Sequence, residues 1–417
     1  MLFRKITCTN RRPYLLIFLA WLAYSTSYLG KVDYSANITQ IIDHFGVSKT
    51  EAGIVPSFFF FAYGLGQVFN GIFCKKYNIK WIVFFSLTTS SSINFAAAFS
   101  NDFAVIKWLW MINGFILSML WPSLIRLLSE SLPRSALSVS SIVMGTTVAT
   151  GTLIIYGFSS LFSAIAKFQY SFITAAVAVF FVALLWLFLF QDAHKGAVAA
   201  KDQEEHNEQN SQETSSPDFE HTGARGIFRL SICVLCFFAV GVNLIKDGLG
   251  TWVPSILKEE FFLADSLSIL LTLFLPILAI FGNAFALKIH KKIPDYVYHC
   301  LSVFGVIAVL FGVIIGCLNT GTVFWVLAGL VAVNFLACSL NSLLTSVFPL
   351  FMREQINSGR FAGVINGFCY LGSTLSSIGL GSIADRFGWS SAFTALILFC
   401  ILCFLFGGVY ALCRRRG

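Results

Sequence analysis

The chain carries twelve apolar stretches, at roughly 14–42, 52–74, 81–100, 104–128, 136–163, 167–190, 227–257, 265–289, 297–317, 322–346, 360–384 and 389–413. Each is about as long as a helix must be to cross the hydrocarbon core of a bilayer. Inside lipid the backbone must satisfy its own polar groups, which leaves helices or closed barrels, and the period-two alternation of a barrel strand is absent. Composition agrees: 57% of the 417 residues are hydrophobic and 12% are charged, against about 25% charged in a soluble protein. The expected fold is an all-α integral membrane protein with twelve transmembrane helices. No small-residue cleavage site follows the first stretch, so it reads as a retained helix.

Twelve is even, so both termini share a side. Under that topology 21 of the 28 lysines and arginines lie in loops and tails on the side of the termini, and five lie opposite: Lys49, Lys107, Lys167, Lys258 and Arg386. Basic residues accumulate on the cytoplasmic side, so both termini are expected there, with the protein in the plasma membrane. The net charge of +8 is thereby accounted for and calls for no nucleic-acid partner.

The two remaining basic residues, Lys31 and Lys246, fall inside the first and seventh spans. A cation at bilayer depth costs about 2.5–3.5 kcal/mol on the insertion scale and needs an anion or a watery cavity. Snorkelling to the headgroups is the alternative. Lys246, however, lies about 17 Å of helix inside the end of its span at Leu257, where Lys258 and Glu259 follow. Two lysines in corresponding positions point to an anion site between two halves.

A polar stretch, 191–226, divides the chain into six spans and six spans. With few apolar residues it reads as a flexible cytoplasmic linker between an N-terminal bundle, 1–190, and a C-terminal bundle, 227–417. Transporters built from two such halves hold substrate near the midplane between them. Polar residues within the spans, among them Gln67, Asn113, Asn243, Asn334 and Asn341, imply a polar interior.

The eleven cysteines lie mostly in spans, and the spacings Cys233/Cys236 and Cys400/Cys403 fall in apolar helix, where cysteine acts as a small hydrophobe. No metal site or cofactor is expected. Phosphate-loop, zinc-protease and triad patterns are absent, so an enzyme is not expected either. None of the six histidines lies well inside a span, which argues against a histidine proton relay. Asn37-Ile38-Thr39 fits a glycosylation sequon but falls in the end of the first helix.

Several blocks resemble, in order, the organophosphate:phosphate antiporter family of the major facilitator superfamily, typified by glycerol-phosphate and hexose-phosphate transporters. They are Tyr28-Leu29-x-Lys31, Tyr63-Gly64 followed by Gly71, Trp121-Pro122 with Arg126, and Trp252-x-Pro254-x-x-Leu257-Lys258-Glu259. Ala362-Gly363, Tyr370-Leu371-Gly372 and Phe387-Gly388-Trp389 continue the series. The resemblance implies a monomeric, alternating-access transporter of two six-helix bundles, with Lys31 and Lys246 standing where the family has phosphate-binding arginines.

Departures bear on the substrate. Lysine presents a point charge where arginine offers a planar fork, so a phosphate ester and a carboxylate both fit. The family's helix-two lysine corresponds to Gln67 and its helix-five histidine to Thr146. The aspartate of the G-x-x-x-D-R signature is missing after Gly71. Asp33 and Asp247 are additional acids, diverging on a helix by about 200° from Lys31 and about 100° from Lys246, so each is expected to answer a partner on another helix. Lys31 and Lys246 are expected to clamp a small organic anion, with hydrogen bonds from Tyr28, Tyr63 and Tyr370, and with Asn243 and Gln67 orienting the rest. The coupled ion is phosphate in exchange, or a proton carried on Asp33 or Asp247. If the two acids neutralise the lysines, a zwitterion or polyol replaces the anion. A membrane sensor for a sugar phosphate, signalling to a kinase, is the alternative of a different class, and efflux of hydrophobic drugs is a third.

Overall fold

The computed structural model describes residues 12–73, 78–165, 167–208, 225–318, 320–348 and 358–416. Among them every regular element is a helix. TM1 is Arg12–Ala36, continued after Asn37 by Ile38–Phe45; TM2 is Lys49–Phe73 and TM3 Ile79–Ala98. TM4 is Phe103–Leu117 with Leu120–Ser131, TM5 Arg134–Gly145 with Thr147–Ser163, and TM6 Gln169–Glu208. TM7 is Arg225–Phe261, and TM8 is Asp265–Thr272, Phe274–Ala279 and Gly282–Lys292. TM9 is Tyr296–Leu318, and TM10 is Val323–Ser342 running into a π-helical turn, Leu343–Val347. TM11 is Ser358–Phe387 and TM12 Trp389–Arg416. Among the described residues ten spans are long and apolar enough to cross a membrane, and TM8 is an eleventh as a pair bent by 50°; TM11, Ser358–Phe387, completes the twelve-helix architecture.

The outer surface is apolar. Phe188, Ile142, Val309 and Leu405 stand exposed, the reverse of a soluble protein and the face a bilayer covers. TM1 packs on TM5 and TM6, and TM3 on TM6, in the first half; TM7 packs on TM10, TM11 and TM12, and TM9 on TM12, in the second. The halves meet chiefly through TM2 against TM11 and TM5 against TM8. Glycines allow the closest approach. A side chain at Gly53 would run into the Ser377 carbonyl, and one at Gly381 would come within 2.7 Å of the Lys49 carbonyl oxygen.

Three prolines free a backbone carbonyl, because proline has no N–H to return to residue i−4. In each case a side chain from another helix takes the orphan. The Ala52 carbonyl, released by Pro56, accepts Tyr34 Oη at 3.0 Å. Ser118, released by Pro122, accepts Gln67 Nε2 at 3.1 Å. Gly250, released by Pro254, accepts Tyr156 Oη at 2.8 Å.

The polar stretch read as flexible from Gln191 is helical to Glu208, as an extension of TM6. Its Ala-Val-Ala-Ala run favours helix, Ala193 and Ala197 are fully buried, and the extension is tethered. Lys201 Nζ donates to the Glu130 carbonyl at 2.9 Å, and the Ser135 amide to Glu204 Oε1 at 3.3 Å. Residues 209–224, and Cys74-Lys75-Lys76 of the departed signature, lie outside the described residues. His299 is fully buried at the start of TM9 beside His290, with ring centroids 6.0 Å apart, and does not border the central cavity.

Candidate functional site

Between the halves lies a cavity of about 350 Å³, bordered by TM1, TM2, TM5, TM7, TM8, TM10 and TM11. Many of its walls are helix breaks: Gly145 in TM5, Pro276 and Ile280 in TM8, and Ser342 and Thr345 at the π turn of TM10. Irregular backbone at membrane depth is tolerated where it borders a cavity, and π turns recur at functional sites.

Both lysines line this cavity. Lys31 Nζ sits in an aromatic cage, 4.6 Å from the Tyr63 ring centroid, 4.8 Å from Tyr28, 5.6 Å from Phe59 and 5.9 Å from Tyr370. Such rings stabilise a cation through their quadrupoles without neutralising it. Among the described residues no carboxylate pairs with it. Tyr63 and Tyr370 meet across the halves as a tilted pair, with centroids 4.6 Å apart.

Lys246 is held differently. Its Nζ lies 3.2 Å from Asp247 Oδ1, and the other carboxylate oxygen accepts the Ser373 hydroxyl from TM11. The expectation that Asp247 would answer another helix is therefore corrected in part: the long lysine stem spans the 100° offset, while Ser373 supplies the contact across helices. With Lys31 and Lys246 positive and Asp247 negative, the cavity carries one net positive charge.

Asn243 also lines the cavity and donates to Asn341 Oδ1 at 3.1 Å. Gln67 does not line it; its amide serves the carbonyl released by Pro122. Thr146, at the family's histidine position, accepts Trp21 Nε1 at 2.9 Å. Asp33 is buried behind TM1, away from both lysines, with Oδ1 accepting only the Tyr34 amide. Sequence reasoning missed Phe60, Cys338 and Cys369 in the lining, and counted Asn366 among the polar residues of the spans without assigning it to the site. Helical spacing from Tyr370 would have reached Asn366, four residues earlier on the same face.

One end of the cavity is closed by contacts between the halves. Asp385, ending TM11, caps TM2: it accepts the Lys49 amide at 3.1 Å, the Thr50 amide at 2.6 Å and the Thr50 hydroxyl at 2.6 Å. Lys49 Nζ lies 3.1 Å from Glu259, which also accepts Trp389 Nε1 at 2.9 Å. Lys258 joins Asp43 at 2.6 Å and Asp265 at 2.8 Å. The sequence signal was present: Gly381-Ser382-Ile383-Ala384-Asp385-Arg386 carries the G-x-x-x-D-R pattern missing after TM2. Trp252, from the sharpest block of the resemblance, is part of this closure, donating to the Ser377 carbonyl at 3.0 Å.

Twelve membrane helices around a central polar cavity define a multi-pass transporter. The chain belongs to the major facilitator superfamily: the profile described as Major Facilitator Superfamily matches residues 14–377. Among curated proteins it is similar to the membrane sensor protein UhpC of Escherichia coli (strain K12), 24% identical over 120 residues, 29% of this chain and 27% of that one. It is also similar to a probable hexose phosphate transport protein of Chlamydia pneumoniae, 21% identical over 120 residues, 29% of this chain and 26% of that one. The matches thus span about a quarter of the length of these relatives. Among solved structures it resembles a bacterial homolog of the human lysosomal transporter Spinster, in an inward-facing and occupied conformation. That match has a TM-score of 0.71 and 12% identity and covers 96% of this chain and 97% of that one; it bears on the fold alone.

Proposed function

We propose that this protein is a secondary transporter that moves a small organic anion, a phosphate ester or a carboxylate, by alternating access, with Lys31 as the primary anchor of the anionic group. The observation that carries this reading is the asymmetry of the two lysines. Lys31 faces the cavity in an aromatic cage with no carboxylate partner among the described residues, so its charge is available. Lys246 is paired with Asp247 and is released to the anion as that pair rearranges. One net charge favours a singly charged group over a zwitterion. The cavity, about 350 Å³, is at the small end of ligand pockets and suits a metabolite.

The moving parts are the halves 1–190 and 227–417. With both termini cytoplasmic, as the distribution of basic residues argues, the closed end faces outward and the conformation is the inward-facing one. Tyr28 and Tyr370 border the anion, Asn243 and Asn341 the remainder. The relatives support a sugar phosphate as one candidate, because one of them is a probable hexose phosphate transport protein. The test is counterflow in proteoliposomes loaded with phosphate, sugar phosphate or dicarboxylate: accumulation of the labelled anion is expected, and its absence in the Lys31→Ala protein.

A second reading, that of a sensor, draws on the match to a membrane sensor protein. It is distinguished by saturable anion binding without flux in the same proteoliposomes.

A further inference from the structure

Asp33 lies behind TM1 and is fully buried. Its Oδ2 has no hydrogen-bond partner, and it forms no ion pair among the described residues. An uncompensated carboxylate at membrane depth is costly, so something must answer it. Its place on TM1 narrows the choice, because the polar side chains gathered at Gly30, one turn earlier on the same face, leave oxygens unpaired.

Asn94 of TM3 and Asn113 of TM4 are fully buried, and both donate Nδ2 to the Gly30 carbonyl, at 3.2 and 2.7 Å. Asn37 donates Nδ2 to the Asp33 carbonyl at 2.8 Å. A backbone carbonyl can only accept, so these bonds fix which end of each amide is nitrogen and which is oxygen. In all three residues the side-chain oxygen is left without a donor, as is the Ser90 hydroxyl, which packs against Gly30. Gly30, Asp33 and Asn37 follow one another along one face of TM1, and helical side chains lean toward the N-terminus, which brings the Asp33 carboxylate back toward the Gly30 turn. The result is one carboxylate, its Oδ1 holding the Tyr34 amide and its Oδ2 free, one helical turn from the unpaired side-chain oxygens of Asn94, Asn113 and Ser90. Hard cations prefer such oxygen sets. A single negative charge is matched by a monovalent ion, whereas a divalent one would leave an excess charge in a low-dielectric interior.

We propose that Asp33, Asn94, Asn113 and Ser90 form a sodium site between TM1, TM3 and TM4, and that sodium is the ion coupled to transport. The binding claim stands by itself; the coupling claim rests on the transporter reading above. Asp33 is two residues from Lys31 on the same helix, so an ion holding TM1 against TM3 and TM4 also holds the anion anchor in its cage.

The test is thermal unfolding of the purified full chain in sodium chloride against choline chloride at equal ionic strength, with wild type, Asp33→Asn and Asn113→Ala. The expected result is a saturable rise in Tm with sodium for wild type, lost in Asp33→Asn, with half-saturation shifted by about tenfold or more in Asn113→Ala. Should Asp33→Asn fail to fold, Asn113→Ala and Asn94→Ala carry the comparison. Equal Tm in the two salts, or an unchanged sodium response in Asp33→Asn, overturns the site. So does stabilisation by acid and not by sodium in wild type, absent in Asp33→Asn, which would assign the position to a proton. Anion titrations of the same samples in choline separate this from the two-lysine site, which Asp33→Asn leaves intact.

Discussion

The Tyr156 hydroxyl lies 2.8 Å from the Gly250 carbonyl oxygen, joining TM5 of one half to TM7 of the other where Pro254 withholds the helical amide. Its counterpart within the first half is Tyr34 on the Ala52 carbonyl, 3.0 Å apart, beside Pro56. The two bonds are chemically alike and differ in what they connect. Tyr156→Phe and Tyr34→Phe should each cost about 1–3 kcal/mol through an unsatisfied buried carbonyl. Only Tyr156→Phe should open the closed end. Labelling of the cavity cysteines Cys338 and Cys369 by a charged maleimide applied from that end reads the difference; equal labelling in the two variants would contradict it.

Asp247 holds back one of the two lysine charges in the cavity. Asp247→Asn raises the net charge there from +1 to +2, and a unit charge at 4 Å contributes about 4 kcal/mol at an effective dielectric near 20. Anion affinity should therefore rise by tenfold or more in Asp247→Asn, at about 1.4 kcal/mol per tenfold, while flux falls because release slows. Weaker binding in equilibrium dialysis would show that Asp247 contacts the substrate instead.

Gln67 stands where the resemblance has a lysine, yet it serves the Ser118 carbonyl. Gln67→Ala should lower stability by about 1–3 kcal/mol and leave the anion Kd unchanged, which thermal unfolding with and without ligand separates.

These cases show what the sequence made legible. Twelve apolar stretches and the skew of basic residues were enough for an all-helical membrane fold, and Lys31 and Lys246 stood out because charge at that depth is costly. Their inequality was not legible. Angular offsets along a helix describe Cα directions, and a lysine is long enough to cross 100° and reach Asp247. Gln67 was misleading because the demand on it comes from Pro122, a residue on another helix. Asp385 was overlooked because its motif sits at the opposite end of the molecule from the one where it was sought. The helix beyond Gln191 is held by Glu130 and Ser135, contacts that composition does not reveal.

The Asp385 cap defines the pH behaviour of the closed end. Partial burial pushes its carboxyl up, but hydrogen bonds from the Thr50 hydroxyl and the Thr50 and Lys49 amides, with the Lys49 charge, hold it below the usual carboxylate range. A depressed carboxylate stabilises the closed form fully above its unfolded value, about 3.9, and loses that contribution as pH falls through the lower folded one. Maleimide labelling from the closed end, normalised at each pH to that of the same cysteines in the unfolded chain because only the thiolate reacts, should thus stay flat from about pH 8 to about pH 5 and should rise at neutral pH in Asp385→Asn. A labelling step near neutrality in wild type would assign the closure to another group.

The central claim is that an anion is held between Lys31 and Lys246. Its most direct test is equilibrium binding, by calorimetry, of phosphate, a hexose phosphate and a dicarboxylate to wild type, Lys31→Ala, Lys246→Ala and the double variant. We predict that one of these anions binds wild type and that both single variants weaken it, Lys31→Ala by removing the anchor and Lys246→Ala by leaving Asp247 unpaired in the cavity. Unchanged anion binding in the double variant, with the fold intact, would contradict the account.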